Sequence, residues 1–137
     1  MAIWQALFHL YSSDDKSCFD YELTQRSISQ LSETFPEETS WCKSIRQFGK
    51  TDSTCIELYY DEIDPLDKLA EISVRLDLRN VTEEQLQFLC AFANENNLVF
   101  GMCEDLFEPN IDILKNKIKK SDAFKFIMDP KRFFREL

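Results

Sequence analysis

The chain has 137 residues, with 25 Asp and Glu against 16 Lys and Arg, a formal charge of −9, two glycines and one histidine. So little Gly and His nearly excludes glycine-rich phosphate loops, dinucleotide fingerprints, His-ligated metal sites and His-rich catalytic centres, and the acid excess disfavours binding to nucleic acid phosphates or anionic lipid. At 44% hydrophobic and 30% charged residues the sequence predicts one globular domain, 1–137, able to fold without disulfide or metal staples.

Ile3 to Tyr11 alternates Trp4, Ala6, Phe8 and Leu10 with Ile3, Gln5, Leu7, His9 and Tyr11, which predicts a strand with one fully apolar face. From Asp20 to Phe35 the spacing of Thr24, Ile28, Leu31 and Phe35 is helical, and Pro36 marks the exit. Residues 41–48 are ambiguous: Trp41, Ile45 and Phe48 fit a helix, while Ile45 to Phe48 fit a strand pairing with Thr54 to Tyr60 across the turn 49–53; the hairpin is preferred.

Ala70, Ile72, Val74, Leu76 and Leu78 then alternate with Glu71, Ser73, Arg75, Asp77 and Arg79, the clearest strand in the chain. Thr82 opens a helix, with Gln85 completing a capping box, Val81 and Leu86 as the staple, and Leu86, Leu89, Cys90 and Ala93 inward. Leu98 to Cys103 reads as another strand. Asn110 caps a further helix with Ile111, Leu114 and Ile118 inward and Lys117, Lys119 and Lys120 suited to its C-terminal dipole. Asp129-Pro130 starts a last short helix carrying Phe133, Phe134 and Leu137.

This order predicts an α+β fold: a split β-α-β, ferredoxin-like, antiparallel or mixed sheet with helices on one face and additional C-terminal helices. Charge is divided along it. Residues 1–110 carry a net −13 and residues 111–137 a net +4, an acidic body with a basic C-terminal helical segment. Cys18, Cys42, Cys55, Cys90 and Cys103 are odd in number and contain no C-x-x-C, which fits free thiols in a reducing compartment. The N-terminus lacks a basic n-region, and no apolar run is long enough to cross a bilayer. A cytoplasmic protein without a membrane partner is expected.

The densest charge feature is residues 57–67, with five acids and no base. Tyr59, Tyr60, Asp61, Glu62, Asp64 and Asp67 form a candidate surface for a basic protein partner, because opposite fields steer encounter and tyrosine favours interface cores. Asp61, Asp64 and Asp67 are spaced by three, without the alternating ligands of a calcium loop, so no metal is expected, and no cofactor. Cys103, next to Glu104, and His9 offer the sole route to a Cys-His nucleophile pair, which needs mutual hydrogen-bond reach; one buried thiol and one half-exposed strand histidine are the preferred reading. Arg75, Asp77 and Arg79 are expected to pair across strands. No catalytic residue is assigned.

Three segments in combination, Phe48–Leu58, Ile72–Arg79 and Ser121–Phe134, resemble small acidic bacterial immunity proteins of polymorphic and contact-dependent toxin systems. The resemblance implies a non-catalytic cytoplasmic protein that binds one cognate toxin domain, in many cases a nuclease, and occludes its active site. It transfers no binding residue, since the toxin-facing surface of such proteins varies from pair to pair. An intracellular adaptor or self-associating domain is the alternative, and a Cys-dependent enzyme a further one; the oligomeric state is open.

Overall fold

The computed structural model describes residues 2–13, 21–60, 69–103 and 105–135, without the side chains of 21–24, 133 and 134. Cys18, Asp61, Glu62, Asp64, Asp67, Glu104 and Leu137 therefore lie outside the described residues, as do the side chains of Thr24, Phe133 and Phe134.

Strand β1 (Gln5–Ser12) leads to helix α1 (Tyr21–Thr34), a two-residue strand β2 (Glu37–Glu38), and the strands β3 (Ile45–Phe48), β4 (Cys55–Tyr60) and β5 (Leu69–Asp77). Helix α2 (Glu83–Glu95), β6 (Leu98–Met102), β7 (Asp105–Phe107) and helices α3 (Ile111–Lys119), α4 (Asp122–Met128) and α5 (Pro130–Arg135) follow. The α+β class is as expected. The sheet has seven strands in the order β2-β3-β4-β5-β1-β6-β7, every neighbouring pair antiparallel, and is larger than a ferredoxin-like sheet. Both β5 and β6 run antiparallel to the β1 between them, so they are parallel to each other, and α2 connects them.

Local chemistry explains the boundaries. Residues 45–48 are a strand, in register Ile45↔Tyr59 to Phe48↔Ile56, as the hairpin reading predicts. Its turn requires Gly49 at φ +86°, where an added Cβ would lie 2.2 Å from the Thr54 carbonyl oxygen. Thr82 and Gln85 form the expected capping box, and the Asn110 side chain accepts from the backbone amides of Asp112 and Ile113. The sequence reading missed α4, capped by the Ser121 hydroxyl accepting from the Phe124 amide, and the short strands β2 and β7.

Ladder registers assign the faces. Phe8 lies opposite Val74 and Val74 opposite Ile56; Leu10 lies opposite Ile72 and Phe100. These side chains join Leu31 and Phe35 of the α1 end, Leu86, Leu89 and Phe92 of α2, Leu114 and Ile118 of α3 and Ala123 of α4 in one buried cluster. The Phe8 and Phe100 rings meet edge-on at 5.3 Å, a favoured aromatic geometry. At the rim, the buried Asn96 amide donates to Gln30 and to the Phe92 carbonyl and accepts from Arg26, tying α1 to the end of α2. Among the described residues, no helix is long and apolar enough to cross a membrane.

Candidate functional site

Because strand side chains alternate, the register that buries Phe8 and Leu10 sends Gln5, Leu7, His9 and Tyr11 to the opposite face. One row crosses that face through all seven strands: Glu38, Gln47, Glu57, Ser73, His9, Gly101 and Leu106. Ile45 and Cys55, on the same face, are buried yet stand outside the main cluster.

The β3–β5 half of this face is polar and internally paired. Glu57 is bonded by Arg75 from the neighbouring strand, with the two side chains only 3% and 16% exposed. The Trp41 indole N–H donates to Glu57 Oε2 at 3.3 Å while the residue stays 73% exposed. Asp77 accepts from the Arg79 backbone amide and guanidinium at 2.9–3.0 Å. Burial pushes the Asp77 carboxyl up, but the Arg79 bonds outweigh it and hold it below its ordinary value. Arg79 in turn stacks over the Trp4 ring at 3.9 Å. Of the expected cross-strand pairings, Arg75 finds Glu57 on β4, whereas Asp77, the last residue of β5, pairs with Arg79 in the turn that follows. Gln5 reaches the Thr51 carbonyl at 3.0 Å and Trp4 the Asp52 carbonyl at 3.0 Å, which fastens the β3–β4 turn over this end.

The β1–β6–β7 half is apolar and open. Leu7, Tyr11 and Leu106 are 38%, 44% and 66% exposed. Gly101 makes their arrangement possible: a Cβ there would sit 2.4 Å from the Tyr11 ring and 3.2 Å from Leu106 Cδ2. The absence of a side chain lets the tyrosine and the leucine converge on the backbone. His9 stands beside them, its Nδ1 3.0 Å from Glu71 Oε1 without the alignment of a hydrogen bond.

The candidate surface residues separate on this frame. Tyr59 lies on the open face, half-buried, directly opposite Glu71; burial first, and then that carboxylate, push its hydroxyl up, so it stays a neutral donor. Tyr60, the next residue, necessarily points the other way and is 6% exposed within the core cluster, so its ring belongs to the core and not to a docking surface. Asp61, Glu62, Asp64 and Asp67 belong to the connection that follows, outside the described residues.

Cys103 and His9 do line one cleft of about 560 Å³, together with Leu7, Met102, Lys117 and Ala123. Among the described residues no hydrogen bond joins thiol and imidazole, and no group of three or more His, Cys, Asp or Glu side chains could hold a metal ion. Sequence reasoning missed Trp41, Tyr11 and Leu106 as surface features. Leu7 and Tyr11 belong to the alternate set of β1, with Gln5 and His9, a face to which the sequence reading gives no role; Leu106, on a three-residue strand, had no periodic signal. Compared with family models, curated proteins and solved structures, the chain gives no match.

Proposed function

We propose that the chain is a non-catalytic binding protein that uses the open sheet face to engage a basic protein partner, and that this partner is a bacterial toxin domain whose active site it occludes. One observation carries the reading: exposed Leu7, Tyr11, Trp41 and Leu106 share a single sheet face with charges already satisfied internally. Large exposed side chains held by a rigid sheet are what interface anchors require, and paired charges beside them cost little to desolvate further. Tyr59 and Glu71 stand at the β4–β5 end of this face, in direct chain continuity with Asp61, Glu62, Asp64 and Asp67. Acids contributed by that connection would suit a cationic substrate cleft, which they would fill as phosphate surrogates. In fold terms, β5–α2–β6 around β1 is read as a split β-α-β core widened by the β2–β4 meander and β7, within a cytoplasmic protein.

The test is co-purification and calorimetry with the toxin domain encoded beside the gene. Trp41→Ala and Tyr11→Ala are each expected to weaken binding by about tenfold or more. Charge reversal at Asp61 and Glu62 should weaken it most at low salt. Wild-type affinity in all of these variants, with folding intact, would remove the open face from the interface.

A further inference from the structure

The β1–β6 ladder stops early. Its register runs from Ser12↔Leu98 to His9↔Gly101, although β1 continues back to Gln5. At Cys103 the backbone turns to φ +50°, and the chain departs toward β7. Parity fixes where the free backbone points. The Trp4 carbonyl accepts from Leu78 on the β5 side, and the Ser13 amide donates to Asn97 on the β6 side. Even-numbered residues of β1 therefore bond toward β5 and odd-numbered residues toward β6. His9 and Tyr11 face Gly101 and Val99, and the Gln5 amide is taken by the Ala2 carbonyl. The N–H and C=O of Leu7 point into the gap, and among the described residues they have no partner there.

That gap is the cleft of about 560 Å³, closed on its far side by the junction of α3 and α4. Met102 and Ala123 give it an apolar wall. Lys117 is held by Asp105 at 3.3 Å, Asp122 occupies the first turn of α4, and Lys120, also lining the cleft, has no ion-pair partner among the described residues.

We propose that this notch receives an extended, carboxylate-bearing peptide segment of a partner protein, added edge-on to the first half of β1. One peptide residue exchanges both main-chain bonds with Leu7, as in the narrow pair of an antiparallel ladder. A neighbouring apolar side chain seats against Met102 and Ala123, and a peptide carboxylate meets Lys120. An unpaired strand edge is a template for another strand, and here it is bordered by walls that would select one. The site is separate from the β4–β5 end of the open face, since Gln5 pairs with Asp77 at the opposite end of β5.

Selection of a random twelve-residue peptide library on phage against the whole chain, followed by synthesis of the best binder, tests the proposal. The binder should protect the Leu7 amide from hydrogen exchange. Methylating the nitrogen of its central residue should weaken it about tenfold, and replacing its carboxylate by an amide about threefold. Leu7→Pro removes the inward-facing N–H but no bond to β5; it should melt cooperatively and lose binding about tenfold. Failure to enrich any binder, protection confined to other amides, or undiminished binding by the N-methylated peptide would overturn the proposal. Should Leu7→Pro not fold, the N-methylated peptide on the native chain decides.

Discussion

Replacing Arg75 by Met tests whether the open face depends on its own charge pairing. The Glu57 side chain is 3% exposed and holds two partners, Arg75 and the Trp41 indole. Arg75→Met keeps most of the apolar stem but leaves a buried carboxylate with one long bond, which is expected to cost about 3–5 kcal/mol. Glu57→Gln should cost less, about 1–2 kcal/mol, because the amide oxygen still accepts and the partly exposed guanidinium reaches water. The double variant Glu57→Leu, Arg75→Met leaves neither charge behind, and is expected within about 1 kcal/mol of the native chain. Urea unfolding monitored by far-UV circular dichroism measures all three, provided the slope against denaturant is unchanged. On a chain of this length the Arg75→Met loss corresponds to a melting point lower by roughly 6–20 °C. A loss under about 1 kcal/mol for Arg75→Met, or a double variant no more stable than Arg75→Met alone, would refute the idea that burial makes the two charges interdependent.

Three further outcomes are expected. Gly101→Ala places a methyl group into the Tyr11 ring edge; since that ring is 44% exposed it swings aside, so stability should fall by no more than about 1 kcal/mol while the Tyr11 ring resonances shift. Asp77 is held below its ordinary value, so its stabilising contribution is present above the unfolded-state value near 3.9 and is lost as pH falls through the lower folded-state value; the stability gap between wild type and Asp77→Asn should therefore be widest near neutrality and close on acidification toward pH 2. The Cys42 thiol is lowered by the Ser44 hydroxyl, whereas burial raises Cys55 and Cys90; iodoacetamide should label Cys42 well before those two, and Ser44→Ala should move the Cys42 labelling profile to higher pH.

The parts of the fold that were legible are those where one local signal suffices. The alternation through β5, the Thr82 and Asn110 caps and the passage from Asp129 to Pro130 each state a backbone conformation within a few residues. Helix α4 escaped because its seven residues, Asp122–Met128, make too short a window for helical periodicity, and the Ser121 cap was not read as one. The candidate site was harder because it is a property of register. Tyr59 and Tyr60 looked like a pair in sequence, yet neighbours in a strand cannot share a face. Conversely, Trp41, Leu7 and Leu106 come from three separate segments and stand on one face only through the order β3-β4-β5-β1-β6-β7. Charge density pointed to residues 57–67, and composition contains nothing that would point to Gly101 or to the free backbone of Leu7.

The central place of β1 in the sheet bears on how the chain acquires its structure. The strand precedes all the others, yet its ladder partners are β5, beginning at Leu69, and β6, ending at Met102. While the polypeptide is being synthesised, a strand with one wholly apolar side waits for most of the domain to appear before either of its edges can be covered. Pairings this distant along the chain make folding slow relative to helical proteins of the same size. During that interval the alternating segment from Gln5 to Ser12 is the part of the nascent chain most open to pairing with another molecule.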